Sequence, residues 1–293
     1  MGENWVVIPI CRSERRNLLD PSVLQLNNKL LRDWLVAFLK DEVIRQRGIS
    51  KVVLGLSGGV DSAVVAYLAA EAFGPKNVYA IRLPYAISSP ESLTHAELVV
   101  NDTGINCETI EITAMVDGYR LLADPEMSGQ RIGNICARCR MTILFDQAMK
   151  VGGLPLGTGN KTERLFGYYT WHADDAPPIN PLGDLFKSQV WPLARELGVP
   201  APIVDKPPTA DLIKGQTDEG DFGLKYEEAD SILNLIIRGF TRERLLAMGV
   251  LEHSLNLVEK RLDGTHWKRR LPTVAMVSDT AIGEYYLRPV DYR

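Results

Sequence analysis

Between Lys51 and Leu68 the chain passes from a β-branched run, through a glycine turn, into an apolar helical pattern. The run Lys51 to Leu56 reads as a strand, and Val60, Ala63, Val64, Tyr67 and Leu68 recur at helical spacing. The turn between them is Ser57-Gly58-Gly59-Val60-Asp61-Ser62. Strand, tight turn and helix in that order predict a layered α/β fold with a parallel sheet. The helix start leaves backbone N–H groups without internal partners, and its dipole favours an anion there. Gly58 and Gly59 let the backbone turn sharply and approach a phosphate with no Cβ in the way. Ser57 and Ser62 offer hydroxyl donors. Asp61 on its own would repel a phosphate, so its presence makes sense if Mg²⁺ bridges carboxylate and phosphate oxygens. The turn is neither the Gly-Lys-Thr/Ser phosphate loop nor the Gly-x-Gly-x-x-Gly of dinucleotide folds.

The rest of the chain repeats the alternation. Residues 21–48 are predicted as one helix, with Leu24, Leu26, Leu30, Leu31, Leu35 and Phe38 near one face and Gly48 just past its end. Asn77 to Leu83 reads as a strand. Ser89-Pro90-Glu91 starts a helix that runs to Gly104. Residues 107–113 alternate as a strand with Ile110 and Ile112 on one side, and 130–150 form a long helix. Leu154 to Gly157 is a short strand. Strand and helix in turn predict a twisted, mostly parallel sheet with helices on both faces. Ligands in such sheets bind beyond the carboxyl ends of the strands, where the Ser57 turn lies. Two long stretches, about 171–184 and 199–224, are rich in proline, glycine and aspartate and read as lid or binding loops. Residues 225–293 read as helices up to about Leu262, followed by an extended tail. The expected organisation is one domain over 1–293, with the nucleotide-binding core at about 50–200.

Composition narrows the partners. The net charge of −4 argues against a general nucleic-acid or membrane-surface partner. The four cysteines, Cys11, Cys107, Cys136 and Cys139, are too few for a disulfide scaffold in a chain of 293 residues. The apolar run Val6 to Ile10 is too short for a signal segment. A cytoplasmic protein is the expectation.

The Ser57–Ser62 turn resembles the pyrophosphate loop of the N-type ATP pyrophosphatases, which cleave ATP between the α- and β-phosphates. Four further stretches sharpen this: Gly133-Asn134-Ile135-Cys136-Ala137-Arg138, Gly157-Thr158-Gly159-Asn160-Lys161-Thr162-Glu163, Asn180-Pro181-Leu182-Gly183-Asp184-Leu185-Phe186-Lys187 and Gly215-Gln216-Thr217-Asp218-Glu219. In sequence and order they are similar to the NAD⁺ synthetases, from about residue 30 to 272. The resemblance implies an adenine nucleotide alpha hydrolase-like, Rossmann-like fold. With no room for a glutamine amidase domain, the chain looks like the ammonia-using form. The implied reaction joins ATP, deamido-NAD⁺ and ammonia through an acyl-adenylate. The resemblance further implies a homodimer, and leaves open a separate protein as the source of ammonia.

The resemblance also implies roles for single residues. Asp61 and Glu163 match the family's Mg²⁺ ligands, a hard carboxylate pair suited to that ion; in isolation Glu163 would read as a solvated loop acid. Lys187 falls in the first turn of a helix expected to start near Asp184. A cation there opposes the helix dipole unless it meets an anion, and the family places a lysine on the ATP phosphates at this point. Asp61 and Lys187 are therefore the catalytic candidates. Ser57, Gly58, Gly59, Val60, Asp61, Ser62, Thr158 and Thr209 match ATP contacts, and Arg82 is a further candidate for the nucleotide end. Arg138 matches a deamido-NAD⁺ contact. It shares a helix face with Arg131 and Asn134, for which a solvated basic face is the competing reading. Lys268 lies in Thr265-His266-Trp267-Lys268-Arg269, where the family has Glu-His-Lys-Arg. Trp267 thus takes a histidine's place, Trp171 a lysine's and Pro178 an aspartate's. All three departures fall on the dinucleotide side, which implies a more apolar pocket built on stacking. Asp174 or Asp175 could replace the missing acid. The competing reading has Trp171 and Trp267 simply packing on each other.

Cys136-x-x-Cys139 lies on the apolar stripe of its helix with Ile132, Ile135 and Ile143, so core packing outweighs metal or redox chemistry. His95 and His253 read as helix-surface residues. His172 lies in a lid, and no general base is evident. Pro192, inside the pattern Leu185 to Leu197, predicts a bend near Val190. Two rivals share the turn. A tRNA-thiolating adenylating enzyme would need a basic surface and reactive cysteines. An ATP-binding regulatory module would not need both Asp61 and Glu163.

Overall fold

The computed structural model describes residues 18–209, 217–270 and 274–277. In chain order the elements are α1 (Asn28–Leu39), β1 (Val52–Gly55), α2 (Val60–Phe73), β2 (Val78–Arg82), α3 (Pro90–Thr103), β3 (Asn106–Thr109), α4 (Thr113–Ala123), α5 (Gly129–Val151), β4 (Leu154–Pro155), α6 (Lys161–Phe166), α7 (Lys187–Leu197), α8 (Ala201–Val204), α9 (Asp218–Phe222), α10 (Tyr226–Ile237), α11 (Arg242–Ala247) and α12 (Glu252–Gly264).

The four strands form one parallel sheet in the order β3-β2-β1-β4. The register pairs Val52 with Val78 and Leu54 with Ala80 on one side of β1, and Val53 with Pro155 on the other. Alternate residues of β1 enter different cores. Val52 and Leu54 join α1, α2 and α7, whereas Val53 joins Ile81, Cys136 and Ile143 on the α5 side. Both faces are therefore covered, which is why β1 is apolar without alternation. α2 is buried on nearly every side, from Val60 to Phe73. Each fully buried Val or Leu in these layers contributes about 1.5–3 kcal/mol. A second core gathers Phe166, Phe222, Tyr226, Leu233, Leu245 and Leu255 from α6 and α9 to α12.

Chain order creates an opening in this sheet. From β1 the chain moves outward to β2 and β3, and only later adds β4 on β1's other side. Helices therefore leave β1 in one direction and β4 in the other, and a crevice opens between their carboxyl ends. The turns Ser57–Gly59 and Gly157–Asn160 face each other across it.

Several expectations need correction. Residues 21–48 are not one helix. A 3-10 turn over Pro21–Leu24 gives way to extended Gln25, α1 begins at Asn28, and a π-helical turn covers Lys40–Arg45. The cause is local: Asp20 and Asn27 each cap a helix start, at Ser22 N and Leu30 N. β3 ends at Thr109, and α4 follows at Thr113 where the alternation suggested strand. Ile112 is nonetheless buried, with its N–H bonded to Pro84 O at 3.0 Å. α7 starts at Lys187, not Asp184, and contains Pro192 without interruption. His95 is buried rather than on the surface, because it shares an inward face with Val99 one turn on. His253 is exposed, as expected. The 199–224 stretch contains α8 and α9, with residues 210–216, including Gly215 and Gln216, outside the described residues. So are Cys11 and most of the tail. Among the described residues no helix is long and apolar enough to cross a membrane.

Candidate active site

The Ser57 turn is held open by its own side chains. Ser62 Oγ donates to Gly59 O at 3.0 Å and accepts from Ser57 N at 3.2 Å. Ser57 Oγ lies 3.0 Å from Ser62 Oγ and accepts from Gly59 N at 3.2 Å. The two hydroxyls thus shape the turn. Gly58 sits at φ +81, and a Cβ there would fall 2.2 Å from Ser92 O at the start of α3. Only glycine lets these two backbones touch. The first-turn amides of Val60, Asp61 and Ser62 precede the first helical bond, Ala63 N to Gly59 O, and so point toward the crevice without internal acceptors.

Facing the turn is a buried cluster of charges. Asn160 caps α6 in a capping box with Glu163 and donates from Nδ2 to Asp61 Oδ1 at 3.1 Å. Lys187 Nζ is ion-paired to Asp61 Oδ2. Lys187 is only 3% exposed although it is the first residue of α7. Burial disfavours its charge, but Asp61 and Glu163 outweigh burial and hold its pKa above the ordinary lysine value. Burial and the Asp61 charge push Glu163 up to about 8. Beneath the cluster, Thr162 Oγ1 donates to Asp230 Oδ1 at 2.6 Å and accepts from Lys187 N at 3.0 Å. Asp230 Oδ2 accepts from Ser188 N at 2.9 Å. Buried Asp230 thereby fixes the start of α7 on α6, and burial raises its carboxyl to about 6.

The crevice widens into a cleft of ≈ 1170 Å³. Ser57, Gly59, Val60, Asp61, Ser62, Arg82, Thr158, Thr209, Glu163 and Lys187 all line it, while Gly58 lies beneath against Ser92. Arg82 is tethered to Thr109 at 2.9 Å and Glu97 at 3.1 Å. Asp174 and Lys268 line the far end. Asp174 accepts from Thr170 N at 2.7 Å. Solvent reaches it, but it sits in a concave wall whose surrounding protein raises its carboxyl above the usual range. Lys268 Nζ donates to Gly167 O at 2.7 Å and Tyr169 O at 2.8 Å, and burial lowers its pKa.

Arg138, Trp171 and Trp267 lie together beside the rim rather than on the cleft wall. Arg138 Nη2 donates to Trp171 O at 3.2 Å, and the Trp171 and Trp267 rings meet edge to face at 5.1 Å and 85°. His172, at φ 58, stacks on Trp171 at 4.0 Å. Arg131 turns away to Asp124 and Asn134 accepts from Thr170 Oγ1, so the three polar residues of this helix face have separate partners. Cys136 and Cys139 pack in the α5-side core, where burial raises both thiols.

Among the cleft residues to which the sequence reading gave no role are Asn160, Arg140 and Asp218. For Asn160 a signal exists, since Asn-x-x-Glu before a helix is a capping signature. Arg140, bonded to Leu83 O at 3.0 Å, has no local signature, whereas Asp218 lies in the Gly215–Glu219 stretch, where the resemblance assigned it no role.

Comparison with known proteins agrees with this geometry. The NAD synthase family pattern matches residues 31–272. The NH(3)-dependent NAD(+) synthetase of Trichlorobacter lovleyi is 48% identical over 263 residues, 89% of this chain and 95% of the relative. That of Fusobacterium nucleatum is 46% identical over 255 residues, 87% of this chain and 98% of the relative. Among solved structures, the NMN synthetase from Francisella tularensis superposes with TM-score 0.76 at 30% identity, covering 87% of this chain and 100% of that one. The NH3-dependent NAD synthetase from Campylobacter jejuni superposes with TM-score 0.74 at 27% identity, over 86% and 100%. A match spanning both the glycine turn and the Asp61–Glu163–Lys187 cluster places this chain in the NAD synthase family.

Proposed function

We propose that the chain amidates deamido-NAD⁺ with ammonia, using ATP and releasing AMP and pyrophosphate. The observation that carries this reading is the meeting of Asp61, Glu163 and Lys187 under a glycine turn at the sheet's switch point. A carboxylate resists ammonia because its leaving group would be oxide. Attack by the nicotinate oxygen on the α-phosphorus of ATP gives an acyl-adenylate, whose leaving group is AMP. The amides of Val60, Asp61 and Ser62 face the departing pyrophosphate. Lys187 has three N–H donors, and those not held by Asp61 are available to phosphate oxygens. Thr158, Thr209 and Arg82 hold the nucleotide, and Asp174 and Lys268 the dinucleotide.

The donor set fits Mg²⁺. Among the described residues no group of three or more His, Cys, Asp or Glu could hold a metal alone. Two carboxylates completed by water and phosphate oxygens are what Mg²⁺ takes. Burial first, and then the neighbouring Asp61 charge, raise the Glu163 pKa, and a divalent cation would offset both. Asp61 and Glu163 would hold the ion, which supplies charge to offset that of the pyrophosphate.

The chain acts as a homodimer in this reading, in the cytoplasm. Two features support the dimer. Arg138, Trp171 and Trp267 lie together beside the rim, outside the cleft wall, and the packed pair α4 and α5 exposes Tyr119, Leu122 and Met149, at 53%, 91% and 84%. Light scattering checks the mass.

The decisive assay incubates the protein with ATP, Mg²⁺, deamido-NAD⁺ and ammonium. NAD⁺, AMP and pyrophosphate form in equal amounts, and formation of ADP would rule the mechanism out. The deamidated mononucleotide belongs in the same assay as competitor, given the NMN synthetase neighbour. Replacing Asp61 and Glu163 by their amides abolishes turnover here, whereas a regulatory ATP module would keep its nucleotide affinity.

A further inference from the structure

Asp218, the first residue of α9, lies on the cleft wall and is 4% exposed. Its Oδ2 accepts from Tyr226 Oη at 2.8 Å. Its Oδ1 is buried with no hydrogen-bond partner. Tyr168 is close by, but its one hydroxyl proton goes to Asp221 Oδ2 at 2.7 Å. Buried carboxylate oxygens are normally bonded, so an unbonded one on a residue that lines the cleft marks a place for a donor that arrives from outside.

The surroundings define that donor. Lys187, Asp61, Glu163, Tyr168 and Tyr226 are the titratable groups that act on Asp218 from neighbouring elements. Lys187 is paired with Asp61, and Asp61 and Glu163 would share the metal ion, so Asp218 is the acid of this cluster with no cation of its own. Phe222 stands edge-on to Tyr168 at 4.8 Å and to Tyr226 at 5.3 Å, and the Tyr226 ring already has Lys187 Nζ over its face at 5.7 Å. One free oxygen among aromatic rings is a poor shell for a divalent metal. It suits a small monovalent cation that carries its own N–H donors.

We propose that Asp218 Oδ1 is the docking point of the incoming ammonium ion and takes its surplus proton. This rests on the synthetase reading above. The step balances. Ammonium gives one proton to Asp218, and the freed lone pair forms the C–N bond to the acyl carbon. The C–O bond to AMP breaks with its electron pair on the phosphate oxygen, which receives the second proton. Two hydrogens stay on the amide.

The test compares D218N with the parent protein in two half-reactions. Deamido-NAD⁺-dependent exchange of pyrophosphate into ATP reads adenylation alone. Amide formation is followed with ammonium and with hydroxylamine, which is unprotonated at pH 7 and needs no cation seat. In D218N the KM for ammonium rises at least about tenfold. Exchange and the hydroxylamine reaction fall far less. Equal losses in exchange and amidation, an unchanged ammonium KM, or an equal loss with hydroxylamine would overturn the proposal. Parent protein without exchange would overturn the synthetase reading itself. If D218N fails to fold, D218E keeps the charge but displaces it by one methylene, and the same rise in ammonium KM with exchange retained is expected.

Discussion

Lys187 and Asp61 stand 126 residues apart and form a partly buried ion pair between the first turns of two helices. Lys187 is the wrong charge for the start of its helix if the dipole alone decided, whereas Asp61 suits the start of α2. A cation begins α7, and the acid in the first turn of α2 follows the Ser57–Gly59 turn. Together they neutralise one another until substrate arrives.

Replacing Lys187 by Met leaves Asp61 its hydrogen bond from Asn160 Nδ2. Because Asp61 keeps some solvent contact, the loss in stability is about 2 kcal/mol, below the usual cost of breaking a fully buried pair. Turnover falls at least about 100-fold, as for removal of a preorganised charge. Urea unfolding and the NAD⁺ assay separate the two effects.

Gly58→Ala forces a Cβ into Ser92 O and a side chain into a positive-φ conformation. Either α3 shifts or the turn deforms, at about 1–3 kcal/mol. ATP affinity measured by calorimetry drops at least about tenfold. An unchanged affinity would show that the Gly58–Ser92 contact does not shape the ATP site.

Asp230 gives a pH signature. Its folded pKa is about 6, above the ordinary 3.8, because burial disfavours the charge. An acid raised in this way favours the folded state below about pH 4, and that advantage is lost as pH climbs through 6. The span amounts to about 3 kcal/mol. Asp230→Asn cannot ionise yet still accepts from Ser188 N. Its stability relative to the parent therefore improves from pH 4 to pH 7 in denaturant titrations. Relative stability that is flat with pH would place the carboxyl in ordinary solvation.

Trp267→Ala removes the edge-to-face partner of Trp171 from the rim, where Trp267 is 48% exposed. The KM for deamido-NAD⁺ rises about two- to tenfold, the scale of one aromatic contact. The KM for ATP stays put. A matching rise in both would tie the indole to the nucleotide end.

The two halves of the site differ in how much of them is legible along the chain. The phosphate side reads directly, because a strand, two glycines and a helix start are consecutive and their backbone geometry is local. The capping box at Asn160 and Glu163 is likewise local. The dinucleotide side does not read this way. Arg138, Trp171 and Trp267 come from α5, a turn segment and the turn after α12, and only packing brings them to one rim.

Local sequence determined that this chain makes a parallel α/β sheet with a glycine turn leading from Ser57 into a helix start, since strand period, glycine conformation and helix dipole act over a few residues. It did not determine where helices begin, as the capped break before Asn28 and the start of α7 at Lys187 show. Only the folded chain decided that Lys187 would be buried and still charged, that Asp230 would pin it through Thr162, and that Asp218 would keep an open oxygen. Those outcomes depend on desolvation and on charges contributed by remote segments, and neither quantity exists until the cleft has closed around them.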